Sequence, residues 1–424
     1  MIRIAKMAVC FTGALGLSLL LSATASAQEA TAAPSVNPTA KRFLHEGNLR
    51  AEKDLNGAVE SYQNAITADA KFAPAHYNLA IVYERQSKYA EAAKSYQAAI
   101  VANDAYLAAV ENLANLALRQ SQPKKAEKIL LGSIRRHPAD LGLRNRLIAV
   151  WLASEKISAA ETEAKKILKA DEKNIGALVN LASVFYRRGQ YELANSVLTR
   201  AREINENEAN IWINLGFVYL AQGDKTKASE TFAKATALRD DLPEAHNNLG
   251  ALYVEAHDYE GAIKSLERAI ALYPLFAKAY VNLGNALKGA KRYKDAEQAY
   301  KRALELDTQE VEALFNLGVL YLDNTIDGVG RLDRWSLAKT NLDKYMKSAG
   351  DLTDETKTQI ASYQVEVSRG LKREKRRIKS EERRAKRKAR KKAKEEAAKK
   401  AADDKAAKEA AAGGGAPGSE VKSE

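Results

Sequence analysis

The chain has 424 residues, of which 46% are apolar and 29% are charged, and its formal net charge is +13; this length is enough for two or three ordinary domains with a large core. A single cysteine, Cys10, excludes a disulfide scaffold, and a total of five histidines nearly excludes a His-rich metal site. Ala, Leu, Lys and Glu dominate the composition, and only 8 residues are Pro, so helices are favoured over sheets.

The first 27 residues have the pattern of a secretory signal peptide. Two basic residues precede an apolar run over residues 7–22, and Ala25-Ser26-Ala27 matches the small-x-small site of signal peptidase. We therefore expect cleavage before Gln28 and a periplasmic or cell-envelope location. An uncleaved anchor and a lipoprotein acylated at Cys10 are the alternatives, but the apolar run is short for a membrane span and most of it follows Cys10.

The sequence repeats itself at a spacing of 34 residues over residues 41–352, after a lead-in at 28–40 that is expected to be disordered. Each unit has a leucine followed by a small residue, with Ile148 as the one exception. Seven gapless units cover residues 73–310, and about nine units are expected in all. The repeated leucines are Leu79, Leu113, Leu147, Leu181, Leu215, Leu249, Leu283 and Leu317; an alanine lies thirteen residues after seven of them, at Ala92, Ala126, Ala160, Ala194, Ala228, Ala262 and Ala296.

These positions resemble the tetratricopeptide repeat family, whose pattern also has an aromatic residue four positions after the leucine. Six units have that aromatic residue, but Ala117 and Leu287 depart from the pattern. The resemblance implies an all-α superhelical solenoid of antiparallel helix pairs, in which neighbouring units supply the core that one unit cannot bury alone. The last unit is irregular, and its insert, from Asp323 to Trp335, is expected to be an ordered surface loop.

A long charged helix is predicted over residues 353–412, because this segment contains no proline and is rich in Ala, Lys, Arg and Glu. At 1.5 Å per residue it would be about 90 Å long. Its first part is expected to pack on the last unit through Ile360, Tyr363 and Val367. No apolar heptad continues beyond Ile378, so a stable coiled coil is not expected, and residues 413–424 are expected to form a flexible tail.

The positive charge of the chain is concentrated in this helix. Residues 369–409 contain 20 Lys and Arg and 8 Asp and Glu, whereas residues 28–368 contain 44 of each sign. The basic segment is compatible with binding to nucleic acid, with binding to an anionic surface such as lipid, lipopolysaccharide or cell-wall polymer, and with a solvated spacer. Export and the lack of interleaved aromatic residues argue against nucleic acid as the partner, which leaves contact with an anionic surface through residues 369–409 as the favoured interpretation.

A row of asparagines directly before the repeated leucines is the strongest functional signal, with Arg146 in place of asparagine in one unit. In the family, this position points into a concave groove, where an amide that both donates and accepts can bind one peptide unit of an extended ligand. The alternative is that each amide bonds to the neighbouring helix. The row is Asn78, Asn112, Asn180, Asn214, Asn248, Asn282 and Asn316.

Several side chains near the row are candidates for pockets and positive charge around a bound peptide. Tyr186 and Phe217 are the predicted pocket residues that we assign to the partner-binding site together with the row and Arg146. Further candidates are Tyr77, Ile213 and Phe315 for pockets, and Arg85, Arg119 and Arg187 for charge.

No sequence motif indicates chemistry: there is no nucleophile elbow, no phosphate loop and no metal-ligand spacing. We therefore expect no enzyme activity, no catalytic or metal-binding residue and no cofactor. The predicted function is an exported scaffold or adaptor that binds extended peptide segments or partner proteins in an envelope assembly. The chain is also similar to the tetratricopeptide component of the myxobacterial gliding-motility machinery. The alternatives are an assembly factor for pili or outer-membrane proteins and a non-catalytic subunit of a glycosyltransferase.

Overall fold

The computed structural model describes residues 37–350 and 352–412, which form 19 α-helices and no strand. The predicted all-α fold of helix pairs followed by a long helix is confirmed. The predicted signal peptide, most of the lead-in and the tail at 413–424 lie outside the described residues. The lead-in was placed three residues too far along the chain, because the first helix begins at Pro38, where the Asn37 side chain accepts a hydrogen bond from the backbone N–H of Thr39.

The chain divides into two compact units, residues 1–274 and residues 275–424. The described part of the first unit contains α1 (Pro38–Arg50), α2 (Leu55–Ala68), α3 (Ala73–Arg85), α4 (Tyr89–Ala102), α5 (Leu107–Arg119), α6 (Pro123–Arg136), α7 (Leu141–Ala153), α8 (Ile157–Ala170), α9 (Ile175–Arg187), α10 (Tyr191–Ile204), α11 (Ala209–Ala221), α12 (Lys225–Leu238), α13 (Pro243–Glu255) and α14 (Tyr259–Leu272). The second contains α15 (Ala277–Gly289), α16 (Tyr293–Leu306), α17 (Val311–Asp323), α18 (Arg331–Ser348) and α19 (Asp354–Ala412).

Each odd-numbered helix from α1 to α17, here called an A helix, packs against the even-numbered B helix that follows it. The repeated small residue lies where the two helices are closest. A Cβ atom built on Gly216 would lie 2.7 Å from the ring of Phe232 in the B helix α12, a distance that real Cβ atoms do not adopt in close-packed interiors. The repeated alanine of the B helix, such as Ala228, is fully buried at the same contact.

One 34-residue repeat departs from this pattern and keeps the same total volume at the contact by exchanging the large and the small residue. Ile148 stands on the A helix α7 where other repeats have Ala or Gly, and it is fully buried. Sixteen residues later the B helix α8 has Ala164, whereas the equivalent positions of other units hold Phe232, Leu266 or Tyr300. A volume-conserving exchange of this kind preserves packing density.

The turns between A and B helices share one backbone conformation, in which the middle residue has a positive φ. After α7, the backbone N–H of Lys156 donates to the carbonyl of Trp151 at 2.8 Å, and Glu155 has φ 57°. This pattern is the Schellman ending of a helix, which glycine favours because it has no Cβ atom. Seven consecutive turns adopt this conformation, at Ser87, Ser121, Glu155, Gly189, Gly223, His257 and Lys291.

The insert in the last unit is shorter as a loop than the sequence suggests. The predicted loop extended from Asp323 to Trp335, but the helix α18 begins at Arg331, so the connection between α17 and α18 is residues 324–330. The extra residues lengthen α18, which has 18 residues where the B helices of the gapless units have 14.

The helix α19 packs on α18 over about its first six turns, and none of its described side chains beyond Glu374 is buried. Ile360 and Val367 are fully buried, and a Cβ atom on Gly370 would lie 2.6 Å from the ring of Trp335. Glu374 is buried and accepts hydrogen bonds from Arg377. None of the described helices is both long enough and apolar enough to cross a membrane.

The turn conformation predicts that glycine stabilises the array where another residue now occupies the left-handed position. We expect Ser121→Gly and Lys291→Gly to raise the free energy of unfolding by about 0.5–1 kcal/mol each, and Gly223→Ala to lower it by about 1 kcal/mol, because a Cβ atom is disfavoured at positive φ. Urea denaturation followed by circular dichroism measures these changes. An unchanged or lower midpoint for both glycine variants would contradict the argument.

Candidate functional site

The A helices form the more closely spaced layer of each unit. In the first unit α7 contacts α9 and α9 contacts α11, and in the second unit α15 contacts α17, whereas no two B helices of the described chain touch to the same extent. We call the surface of this layer the A-helix face. The predicted row lies on these helices, with Asn78, Asn112, Arg146, Asn180, Asn214 and Asn248 in the first unit and Asn282 and Asn316 in the second.

Four of the asparagines donate a hydrogen bond to the preceding A helix. Asn78 Nδ2 donates to Asn48 Oδ1 at 2.8 Å, and Asn180 Nδ2 donates to both the carbonyl and Oδ1 of Asn145 at 3.1 Å. Asn112 Nδ2 donates to the Tyr77 hydroxyl at 3.0 Å. In the second unit, Asn316 Nδ2 makes the equivalent bond to Asn285 Oδ1 at 3.0 Å. These amides therefore use part of their hydrogen-bonding capacity to join neighbouring repeats.

A tyrosine of the B helix completes this contact in two places. The Tyr62 hydroxyl donates to Asn48 Oδ1 at 2.8 Å, and the Tyr300 hydroxyl donates to Asn285 Oδ1 at 2.6 Å. Tyr300 is fully buried, and burial raises the pKa of its hydroxyl. The same three-residue network consists of a B-helix tyrosine and asparagines on two successive A helices. It thus occurs once in each of the two compact units.

Sequence reasoning missed these acceptor asparagines, although their spacing contained a signal. Asn48 and Asn285 each follow the glycine of an A helix directly, and each lies about one repeat before an asparagine of the row. A comparison of polar residues at a separation of 30–31 positions would have paired them.

Asn214 differs from the four bridging asparagines because it donates within its own helix. Its Nδ2 bonds to the carbonyl of Asn210 at 2.8 Å, and its Oδ1 accepts from the Ser183 hydroxyl at 3.4 Å. Asn214 is half-buried, whereas Asn248 and Asn282 are buried with 4% and 7% of their surface exposed. The donor bond of Asn214 thus stays within its own repeat.

The arginines proposed as groove cations are paired with groups one repeat earlier. Arg146 Nη2 lies 3.3 Å from Glu111 Oε2, and Arg187 Nη1 lies 2.6 Å from Glu155 Oε1. Arg119 forms an ion pair with Glu84. Arg85 donates to a backbone carbonyl of the preceding repeat, that of Ala51. The carboxylates partly neutralise these arginines, so the A-helix face of the first unit offers less positive charge than the arginines alone suggest.

The predicted pocket residues differ in how much surface they keep. Tyr186 and Phe217 are half-buried: the Tyr186 ring lies 5.6 Å from that of Tyr191, and the Phe217 ring meets that of Phe232 edge-on at 5.4 Å. Burial raises the pKa of Tyr186, so its hydroxyl stays protonated at neutral pH. These two rings are held in place by the B helices and retain an accessible side.

The remaining pocket candidates are mainly packing residues. Tyr77 and Ile213 are buried, with 5% and 6% of their surface exposed, and the Tyr77 ring packs on those of neighbouring tyrosines. In the second unit, the Phe315 ring lies 5.3 Å from that of Tyr345. Histidine, cysteine, aspartate and glutamate side chains of the described residues form no group of three placed to hold a metal ion.

Comparison with family models gives matches to the tetratricopeptide repeat. The matched residues are 48–87, 75–105, 174–241, 208–275, 247–311 and 285–334, which together cover just over half of the chain. No curated protein sequence matches this chain.

Solved structures with a similar fold include the Cut9–Hcn1 hetero-tetramer of the APC/C, which is 20% identical with a TM-score of 0.53 over 77% of this chain and 62% of that chain. The described chain thus spans less than two thirds of that structure's chain, and at this identity the likeness supports the fold alone. Shorter matches are MamA from Desulfovibrio magneticus RS-1, 25% identical with a TM-score of 0.37 over 41% and 93% of the two chains, and YrrB, described as a TPR protein with an unusual peptide-binding site, 16% identical with a TM-score of 0.35 over 44% and 95%.

The hydrogen bonds predict that the row is divided between structural and accessible amides. We expect Asn180→Ala to lower the free energy of unfolding by about 1 kcal/mol, and Asn285→Ala by about 2 kcal/mol because two donors lose their acceptor. Asn214→Ala should cost less than about 0.5 kcal/mol, since its donor bond stays within one helix turn and the bond that it accepts from Ser183 is long, at 3.4 Å. Chemical denaturation of the three variants tests this order, and equal losses for Asn180→Ala and Asn214→Ala would refute it.

Proposed function

We propose that this chain, which belongs to the tetratricopeptide repeat family, is an exported, non-enzymatic scaffold or adaptor that binds extended peptide segments or partner proteins in an envelope assembly. The repeat family and its fold support a protein-binding scaffold. The export and the envelope assembly are our proposal and rest on the N-terminal sequence pattern.

The observation that carries this proposal is a set of three partly accessible side chains on neighbouring A helices of the first unit, namely Tyr186, Asn214 and Phe217. These side chains come from α9 and α11, which contact each other, and all three are half-buried. Two fixed aromatic rings provide apolar area at low entropic cost, and an amide between repeats can accept or donate to a peptide backbone. We call these three residues the α9–α11 patch.

The patch suits an extended segment because it combines one polar and two apolar contacts. An amide can make up to four hydrogen bonds, and the two bonds of Asn214 leave capacity for a backbone N–H or carbonyl. A peptide in this position would place alternate side chains against the two rings, as extended ligands commonly do.

The test is a capture experiment that compares three forms of the full chain on native envelope extracts. We expect the double variant Asn214→Ala with Phe217→Ser to bind its specific partner with at least about tenfold lower affinity, which corresponds to about 1.4 kcal/mol. The matched control is Val101→Ser, because Val101 is the most exposed large apolar residue of a B helix, with 79% of its surface accessible. The control should capture the partner like the unaltered protein.

The identity of the captured partner separates the candidate assemblies. One dominant motility-type or pilin-type partner would support an adaptor, including one in a gliding-motility machine, or an assembly factor for pili. Recovery of an outer-membrane protein or of a glycosyltransferase would favour the corresponding alternative. A partner set that is unchanged by the double variant, with the array folded, would refute binding at the patch.

The basic helix is the second proposed contact, with an anionic component of the envelope such as lipid, lipopolysaccharide or cell-wall polymer. Residues 369–409 carry the excess positive charge of the chain. Gly370 and Glu374 pack on α18, whereas the cations from Lys372 to Arg376 are exposed, and the helix is free on all sides only after Ile378. Electrostatic attraction to a dense anion is the physical basis of this contact, and salt weakens it.

Export is tested by the N-terminus of the mature protein. We expect protein isolated from its native cells to start at Gln28 and to be found in the periplasmic or envelope fraction, because signal peptidase cleaves after small residues at the end of an apolar run. Terminal sequencing and mass spectrometry measure this directly. A chain that starts at Met1, or one acylated at Cys10, would be incompatible with the proposal.

A further inference from the structure

The second half of α19 is a helix with no packing partner in the described chain. Its inner face is buried as far as Glu374, and Ile378 is half-buried. Every side chain from Lys379 to Glu409 is exposed. At 1.5 Å per residue, the free part up to Ala412 extends about 50 Å beyond the last contact.

The charge on this free helix is confined to its first half. Residues 379–394 contain 10 Lys and Arg and 2 acidic residues, whereas residues 395–412 contain 4 Lys and Arg and 5 acidic residues. The first segment is about 24 Å long, so it carries about one net positive charge per 3 Å of axis. This spacing is close to the 3.4 Å or so between phosphates along one strand of a nucleic acid. The helix thus matches a single linear polyanion in charge density.

The cations are distributed around most of the helix. At about 100° per residue, the 10 cations of residues 379–394 cover about 240° of the circumference. The remaining strip contains Ala385, Ala389 and Ala393 with Glu382. A flat bilayer meets only one side of a helix, so many of these cations would face away from it. A flexible chain can follow the curved surface and meet cations on several sides.

The free helix also lacks the apolar face that holds a helix in a bilayer. Helices that lie in a membrane interface carry Trp, Phe or Leu opposite their basic face. Between Lys379 and Ala412 the only apolar residue type is alanine, and no aromatic residue occurs. A partner with bases would gain less from this surface, because it lacks the aromatic side chains on which successive bases stack.

Most cations of the segment remain available to a partner. Among the described residues, the pairs that join this segment to acidic groups are Lys391 with Glu395 and Lys392 with Glu396, both at 3.7 Å. All four side chains are at least 65% exposed, and ion pairs this exposed are weak. The segment also has four arginines, whose guanidinium groups can bind phosphate with two hydrogen bonds each.

We propose that residues 379–394 bind a linear, phosphate-bearing polyanion without bases, which lies along the helix, and that they do not anchor the chain to a bilayer. The proposal rests on the anion-binding role of the basic helix and narrows its partner to one class. It also ends the binding segment at Lys394, since residues 395–412 are nearly neutral.

The experiment uses the full chain with inorganic polyphosphate of about 100 units as the probe, at about 50 and about 200 mM salt. Six phosphate contacts should lower the affinity by about three-hundredfold between these concentrations, since each contact contributes about 0.7 to the slope. Vesicles of phosphatidylcholine and phosphatidylglycerol serve as the bilayer probe, and a single-stranded oligonucleotide of equal charge serves as the probe with bases.

Two variants of the same helix locate the site, each with four cations changed to glutamine, a substitution that keeps helix propensity. The test variant changes Arg387, Lys388, Arg390 and Lys391; the control changes Lys399, Lys400, Lys405 and Lys408. The test variant should reduce the slope of log affinity against log salt by about 3, and the control by less than about 1, because each lost phosphate contact changes the slope by about 0.7.

The outcomes separate this proposal from the broader function. Vesicle binding as tight as polyphosphate binding would overturn it and keep an anionic-surface role for the helix. An oligonucleotide bound at least about tenfold more tightly than polyphosphate would also overturn it, since stacking then contributes. Equal effects of the two variants would refute the location. If no probe binds, the anion-binding role fails as well, whereas partner capture by the α9–α11 patch is measured independently.

Discussion

The contact between the two helices of a pair is the constraint on which the rest of this structure depends. A small residue on the A helix faces the side chain sixteen positions later on the B helix, as Gly216 faces Phe232. The unit with Ile148 keeps the contact only because Ala164 is small. Since this contact fixes the distance between the helices, it also fixes which side chains of the A helix reach the neighbouring repeat, and hence where amides and aromatic rings lie on the A-helix face.

The same polar residues serve stability and recognition on that face. Asn180 and Asn316 donate hydrogen bonds to the preceding repeat, and Arg146 is paired with Glu111. These bonds set the register between repeats, because each partner lies about one repeat away. Hydrogen-bonding capacity for a partner protein remains mainly where an amide bonds within its own helix, as Asn214 does. The two interpretations of the asparagine row therefore apply to different members of it.

The period of 34 residues and the small-residue positions predicted the helix pairs, because a repeated close contact requires a repeated small side chain. The sequence did not predict the left-handed turns at Glu155 and Lys291, since residues with a Cβ atom rarely adopt positive φ. The 34-residue period also left the amide partners unassigned, because Asn48 and Asn285 lie only 30 and 31 residues before the asparagines that donate to them. The loop before α18 was overestimated, since its second half continues the helix without a break in composition.

The attachment of α19 makes its free end a lever. Gly370 lies on the Trp335 ring and Glu374 is held beside the start of α18, so the helix direction is fixed at its base. A stiff arm of about 50 Å converts a rotation of about 5° at that base into a displacement of about 4 Å at the tip. Conversely, a pull on the tip acts with a large moment on the Trp335 contact. A pulling force on a partner bound to the helix would thus act first on the last helix pair of the array.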